Sequence, residues 1–115
     1  MKLLTILSSF LILVGCEDSK VKKWDVMYKV KGTGSSFDVT MSNQDGGTSQ
    51  LDNVNSGWSY SFQTEDERHF LYISAQNQSN TGSVTTEIYI DGSLMKSSTS
   101  DGAYVIATCS MSVSD

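Results

Sequence analysis

The sequence predicts an all-β protein: one antiparallel β-sandwich of about seven or eight strands behind a short N-terminal leader. Three observations lead to this prediction. From position 23 onward apolar and polar residues alternate in short runs, the period of half-buried strands. Glycine-centred turns separate these runs every ~8–12 residues, a spacing typical of sandwiches. The chain contains no proline, and long helical periodicity is absent after residue 16.

The first sixteen residues have the features of an export signal. Lys2 supplies a positive charge, a mainly apolar run follows, and Leu13-Val14-Gly15-Cys16 closes it. These features are typical of a secretory signal peptide, and the run is shorter than the ~20 apolar residues that span a bilayer. The tetrad also resembles the bacterial lipobox, in which the leader is cut before an acylated cysteine. We expect a signal peptide over 1–15, acylated Cys16 and a tether over 16–22, and the β-sandwich domain over 23–115.

This interpretation places the mature lipoprotein in the bacterial cell envelope, outside the cytoplasm and held by membrane lipid, such as palmitate, on Cys16. The alternative is a plain secreted protein in which Cys16 occurs by chance. Removing 15 of the 115 residues leaves 100, enough for one domain with its own core. The net charge of −5 becomes −6 without Lys2. An acidic domain argues against nucleic acid as a partner.

The first strands are predicted to pair as neighbours. The alternating residues 23–31 would pair with 36–42, which places Val30 opposite Phe37 and Lys29 opposite Asp38. The next turn, Asp45-Gly46-Gly47, fits a three-residue loop with Met41 opposite Leu51. A two-residue loop would instead place Met41 opposite Gln50. After a polar strand over 48–54, Trp58, Tyr60 and Phe62 alternate with polar residues in a fourth strand.

The later strands continue the same pattern. Residues 69–78 would pair with 83–91, with Ile73 opposite Ile88. Asp91-Gly92 is a two-residue hairpin turn that wants positive φ at both positions. It sets Ile90 opposite Ser93, Tyr89 opposite Leu94, Ile88 opposite Met95 and Glu87 opposite Lys96. The last strand, 103–113, leaves two inward-facing sets open, either Val105, Ala107, Cys109, Met111 and Val113, or Tyr104 and Ile106.

One outward cluster is the candidate binding surface. The predicted pairing puts Tyr72 and Tyr89 on the outer face of the sheet, with Leu94 beside Tyr89 and Phe70 at the flank. An exposed aromatic patch of this kind can bind a partner. The alternative is that the aromatic pair only stabilises the sheet.

No residue pattern predicts catalysis, a metal or a cofactor. His69 is the only histidine, and it has no ligand partners at zinc-site spacing. Its charged neighbours, residues 65–67, lack a calcium-loop pattern. Cys109 lies in an apolar strand and has no partner if Cys16 is acylated, so we expect a buried, inert thiol. We expect a protein that is not an enzyme.

From about Trp24 to Val113 the landmarks resemble the small mycobacterial membrane proteins of the MmpS type. The matching landmarks are Tyr28-x-Val30-x-Gly32, Asp45-Gly46-Gly47, Trp58-Ser59, Ile90-Asp91-Gly92 and Gly102-Ala103-Tyr104. The resemblance implies an immunoglobulin-like sandwich outside the membrane and an accessory role in lipid or siderophore export. It also implies a disulfide between the sixth and last strands, where this sequence has Thr86 and Cys109.

Together these features favour a lipid-anchored, non-catalytic envelope domain that binds a protein partner or assists a transport complex. A carbohydrate-binding module using the exposed aromatics is the alternative function.

Overall fold

The computed structural model describes residues 22–114. The predicted signal peptide, Cys16 and nearly all of the tether lie outside these residues. The described part folds into eight strands and contains no helix. The strands are β1 (Trp24–Lys31), β2 (Phe37–Ser42), β3 (Thr48–Val54), β4 (Trp58–Thr64), β5 (Phe70–Asn77), β6 (Ser83–Ile90), β7 (Ser93–Asp101) and β8 (Ile106–Ser112).

The strands form two four-stranded antiparallel sheets that pack face to face. The first sheet has the order β4-β1-β6-β7, and the second has the order β3-β2-β5-β8. Each sheet turns alternate residues inward, which explains the period of two in the sequence. The all-β sandwich predicted from the sequence is confirmed.

Two predicted strand pairings are wrong, because the chain crosses between sheets where a hairpin was expected. β1 pairs with β4 and β6, so Val30 lies opposite Trp58 and Thr86 rather than Phe37. β5 likewise pairs with β2 and β8, and never with β6. The predicted pairs of Lys29 with Asp38 and of Ile73 with Ile88 therefore do not form. Their apolar members still face the core, but from opposite sheets.

Two hairpins do form between neighbouring strands, with shifts from the predicted register. Between β2 and β3 the loop has five residues, so Met41 lies opposite Ser49, while Leu51 lies opposite Val39. Leu51 nevertheless faces the core as predicted, because the register there moved by two residues and not one.

The hairpin of β6 and β7 follows the prediction at its tip. Ile90 lies opposite Ser93 and Tyr89 opposite Leu94. A bulge between Ile88 and Tyr89 then shifts the ladder. Ile88 consequently lies opposite Lys96 instead of Met95, and Glu87 lies opposite Ser97 instead of Lys96.

The core lies between the sheets and is built from inward residues of both. The largest fully buried side chains include Tyr28, Phe37, Leu71, Ile73 and Ile88. The inward set of β8 is the longer of the two considered: Ala107, Cys109, Met111 and Val113 are buried, whereas Ile106 and Tyr104 are each 54% exposed.

The strand directions give the sandwich two distinct ends. The N-terminal end carries the start of β1 and the loops 43–47, 65–69 and 91–92. The distal end carries the loops 32–36, 55–57, 78–82 and 102–105. The end of β8 returns to the N-terminal end, where the Val113 N–H donates to the carbonyl of His69 at 3.1 Å.

Candidate functional site

The predicted aromatic cluster is divided between the two sheets. Phe70 and Tyr72 lie on β5 in the second sheet, where their rings stack with centroids 6.4 Å apart. Tyr89 and Leu94 lie opposite each other in the first sheet. Tyr72 and Tyr89 thus belong to different sheets, and the prediction that they share one face is wrong. The cause is the mistaken pairing of β5 with β6.

Each half of the former cluster is partly exposed. Phe70 is 55% exposed and Leu94 is 50% exposed, whereas both tyrosines are half-buried. A groove of about 460 Å³ runs beside Tyr89 and is lined by Met27, Gln63 and Gly92 among others. Whether either pair binds a partner stays a prediction.

The outer face of the first sheet holds an almost buried carboxylate. Glu87 is 5% exposed, and the Lys31 ammonium approaches it to 3.3 Å. The Tyr89 hydroxyl donates to Glu87 at 3.1 Å. Glu87 also lies opposite Lys29 in the ladder. These neighbours account for the burial of the charge, since a buried carboxylate needs both a counter-charge and hydrogen bonds.

An open cleft of about 660 Å³ lies at the N-terminal end, between the loops 43–47 and 65–69. His69 stands in it and uses both ring nitrogens. Its Nε2 lies 3.2 Å from the carbonyl oxygen of Asn43, which can only accept, so Nε2 carries the hydrogen. In the neutral ring Nδ1 then accepts from the Thr64 hydroxyl at 3.1 Å. The ring also packs against Phe62, so His69 ties two loops to the core.

A hydroxyl network joins the two sheets below this cleft. The Ser42 hydroxyl donates to the carbonyl of Phe70 at 3.0 Å and accepts the Tyr72 N–H at 2.9 Å. Because the hydrogen of Ser42 is used, the Tyr28 hydroxyl must be the donor in its 2.8 Å contact with Ser42. Burial raises the pKa of Tyr28. Tyr28 belongs to the first sheet and Ser42 to the second, so this bond crosses the core.

Cys109 is free and buried, as the sequence predicts. Its Sγ lies 3.3 Å from the Thr86 Oγ1 and 3.4 Å from the Thr86 carbonyl oxygen. Burial raises the pKa of the thiol. The two positions implied by the resemblance to be a disulfide are therefore in contact, but threonine occupies one of them.

Sequence reasoning missed the exposed pair at the distal end, Tyr104 and Ile106. Tyr104 has a left-handed backbone with φ of 57°, although it is not a glycine. The sequence signal for Tyr104 was its position directly after Gly102-Ala103, in a loop between two strands. Its exposure could not be predicted until the inward-facing residues of β8 were known.

Over residues 22–114 no group of three or more His, Cys, Asp or Glu side chains is placed to hold a metal ion. Within the same range there is no helix long and apolar enough to cross a membrane.

A comparison with known protein families matches most of the chain to one family. The family described as Mycobacterium membrane protein matches residues 15–114. A comparison with curated proteins gives no match. The matched range contains every described strand, so the family covers the whole sandwich. The chain belongs to the Mycobacterium membrane protein family.

Proposed function

We propose that this chain is a lipid-anchored, non-catalytic accessory domain of the cell envelope that acts by binding a protein of an envelope complex. The observation that carries the proposal is the match of residues 15–114 to a family of membrane proteins. The matched range begins at Gly15, immediately before Cys16. The anchor is the acylated Cys16 predicted from the lipobox-like tetrad.

A binding role agrees with how the polar side chains are used. The only histidine bridges Thr64 and Asn43, and the buried thiol of Cys109 contacts the hydroxyl and the carbonyl of Thr86. Nucleophilic catalysis needs an activated nucleophile beside a base, and these two residues are engaged in holding loops and sheets. We therefore infer that the domain acts by binding another protein.

The alternative function, a carbohydrate-binding module using exposed aromatics, has less support, because Tyr72 and Tyr89 lie in different sheets and do not form one aromatic platform.

The anchoring half of the proposal is tested by the two cysteines. Cys16→Ser should block processing of the leader and leave an unacylated precursor. Cys109→Ala is the matched control, and it should be processed and retained in membranes like the unchanged protein. Mass spectrometry of the mature N-terminus should find a diacyl or triacyl cysteine at position 16. An unmodified N-terminus at any other residue would refute lipid anchoring.

A further inference from the structure

The two sheets have four edge strands, and three of them are protected against pairing with another chain. An edge strand presents unpaired N–H and C=O groups, which proteins protect with charges, bulges or cover. The edges are β4 and β7 in the first sheet and β3 and β8 in the second. β7 carries Lys96 and a bulge, and β3 carries Asp52 and a bulge. β7 also covers the start of β8, where the Ser100 hydroxyl donates to the carbonyl of Ile106 at 2.8 Å.

The fourth edge, β4, has none of these protections. Its seven residues, Trp58–Thr64, include no charge, no glycine and no proline. Its ladder with β1 runs from Trp58 opposite Val30 to Thr64 opposite Trp24 without a shift in register. In the described part of the chain, no strand pairs with its other side. A regular, uncharged strand rich in aromatic residues is the kind of edge that pairs with another strand.

Apolar side chains of β4 are incompletely covered along the same edge. Trp58 and Tyr60 are half-buried and pack against the margin of the core. The centroid of the Tyr60 ring lies 6.2 Å from that of Tyr28 and 5.6 Å from that of Phe62. A strand added beside β4 would extend this aromatic row and remove more apolar surface from water, which favours association.

We propose that β4 pairs antiparallel with β4 of a second copy of this chain, about a two-fold axis beside Ser61. The pairing joins the first sheets of the two copies into one continuous sheet. Residues that face each other in such a pair point to the same side of the sheet, and centring on Ser61 is the register that pairs all seven residues. The pairs are Trp58 with Thr64 and Tyr60 with Phe62 on the core side, and Ser59 with Gln63 and Ser61 with itself on the outer side.

The observations favour a second copy over a strand of another protein, because β4 supplies a suitable partner for each of its own residues. Tyr60 meets Phe62, and aromatic pairs across neighbouring strands stabilise a sheet. Like charges never meet, since the strand carries none. Two-fold contacts in which one surface meets its own copy are also the commonest form of association among soluble oligomers.

Charge outside the strand favours the antiparallel arrangement. The acidic run 65–67 follows β4 at one end, whereas the loop before it, 55–57, contains no charge. Antiparallel pairing puts the acidic run of each copy beside the uncharged loop of the other and leaves the two runs a strand length of ~23 Å apart. That separation exceeds the Debye length of ~8 Å at physiological ionic strength, so the repulsion is screened. Parallel pairing would place the two runs side by side.

Self-pairing is compatible with an anchor on Cys16 and does not depend on it. Two-fold symmetry turns the N-terminal ends of the copies in opposite directions, so in an anchored pair the strands lie along the membrane. The eight steps from Cys16 to Trp24 reach up to ~26–29 Å when extended, which is about the length of β1. Each copy can therefore be held by the same bilayer.

The test is disulfide cross-linking of the full chain in the membranes of cells that produce it. Residues directly opposite in an antiparallel pair have Cα atoms ~4.5–5.5 Å apart, within the ~4.4–6.8 Å that a disulfide joins. Ser61→Cys should therefore give a disulfide-linked dimer on mild oxidation, seen by non-reducing electrophoresis. The matched control is Ser97→Cys, an exposed serine on the outer side of the opposite edge, β7. It should give about tenfold less dimer, the difference between a populated and an unpopulated contact.

Three results would overturn the proposal: equal dimer from both positions, no dimer from Ser61→Cys, or a cross-link from position 61 to a different protein. The unchanged chain separates this outcome from the anchor. A dimer of the unchanged chain that disappears in Cys16→Ser would refute acylation alone, and the comparison of positions 61 and 97 is then made in Cys16→Ser.

The register has its own test on the outer side of the strand. Copies with Ser59→Cys should cross-link to copies with Gln63→Cys, because these positions face each other. Neither variant should cross-link to itself, since the two equal positions lie four residues apart along the ladder, beyond the reach of a disulfide. Cross-linking of either variant to itself at the yield of the mixture would contradict the pairing centred on Ser61.

Charge variants at the exposed Ser61 test the contact without any cross-link. Two differently tagged copies are produced together and one tag is purified. Ser61→Lys in both copies, or Ser61→Glu in both, should lower recovery of the second tag by about tenfold or more, because like charges then face each other. Ser61→Lys with Ser61→Glu should restore it. Melting temperatures within a few degrees of the unchanged protein show that each variant folds, and mixed copies that recover no better than matched ones would refute the self-pairing.

Discussion

At the scale of single residues, Tyr28 has the widest effect, because its buried hydroxyl joins the two sheets. It donates to Ser42, which in turn satisfies the N–H of Tyr72 and the carbonyl of Phe70. Buried polar networks of this kind stabilise a structure only when every member is paired. Removing the Tyr28 hydroxyl therefore affects the start of β5, where Phe70 and Tyr72 bond to Ser42, as well as the contact between Tyr28 and Ser42.

We predict that Tyr28→Phe lowers the free energy of unfolding by about 1–2 kcal/mol, the cost of losing one buried hydrogen bond. Tyr60→Phe is the control, since its hydroxyl only accepts the exposed N–H of Gln44 at 3.3 Å. It should change stability by less than ~0.5 kcal/mol. Urea denaturation of both variants measures the difference. Equal losses would show that the bond across the core does not contribute.

The same hydroxyl predicts an alkaline limit to stability. Burial raises the pKa of Tyr28 above its ordinary value, so the folded protein keeps a proton that the unfolded chain releases above about pH 10. Its contribution is complete below that pH and is lost as the pH rises through the folded pKa. The stability of Tyr28→Phe should therefore fall less steeply in this range than that of the unchanged protein.

At the scale of elements, β6 and β8 come close enough across the core to be cross-linked. The Thr86 Oγ1 and the Cys109 Sγ are 3.3 Å apart. We predict that Thr86→Cys forms a disulfide on oxidation and stabilises the domain by ~3 kcal/mol, because the bond would close the loop from 86 to 109. Melting curves with and without reductant measure the gain. The unchanged protein should melt at the same temperature in both.

Thiol labelling provides the control for that variant. Cys109 is 6% exposed, and burial raises its pKa, so little reactive thiolate forms in the folded state. The unchanged protein should react with a thiol reagent only after unfolding. Rapid labelling of the folded protein, or two free thiols in oxidised Thr86→Cys, would contradict the placement of these strands.

The turn between β6 and β7 owes its shape to two left-handed residues, Asp91 and Gly92, with φ of 52° and 83°. The Asp91 carboxylate also accepts the Asp25 N–H at 2.9 Å. We predict that Asp91→Ala costs about 2 kcal/mol, from backbone strain and the lost bond. Asp91→Asn should be nearly neutral, because asparagine tolerates this backbone and keeps the acceptor. Thermal unfolding of the pair tests this, and equal losses would contradict it.

The sequence predicted which residues of each strand face the core more accurately than it predicted which strands pair. Alternation identified the inward residues of β1, β2, β5 and β6, because a side chain faces the core whichever strand lies beside it. It could not distinguish a hairpin from a crossing between sheets, since Val30 and Phe37 would be buried in both. The predicted register of the Asp91-Gly92 hairpin was right at its tip, because the residues of a tight turn determine its local geometry. The bulge beyond it has no sequence signal.

The prediction that Tyr72 and Tyr89 share one face was wrong for the same reason. Tyr72 and Tyr89 were each placed outward correctly, and both are half-buried on outer faces, but a shared face required β5 to pair with β6. Tyr104 was missed although the uncharged loops around it are plain in the sequence. Which loops share an end of the molecule depends on the topology.

At the scale of the whole molecule, negative charge is concentrated at the N-terminal end. The loops there contain Asp45, Asp91 and the run 65–67, with Arg68 as the only basic residue among them. Within residues 22–114 none of these acidic side chains forms a salt bridge, whereas Glu87 pairs with Lys31. Carboxylates grouped in this way repel one another and oppose the compact state.

This repulsion predicts that salt stabilises the domain. The Debye length falls from ~30 Å at 0.01 M to ~8 Å at 0.15 M ionic strength, so sodium chloride should weaken repulsion between the loops and raise the melting temperature. Glu65→Lys should give part of this gain without salt, by a few tenths of a kcal/mol, and should reduce the further response to salt. Asn80→Lys adds the same kind of side chain in the uncharged loop 78–82 at the distal end and should change neither. Melting temperatures of the three proteins across this range decide the matter: a fall with salt, or an equal gain from both lysines, would mean that the acidic end does not limit stability.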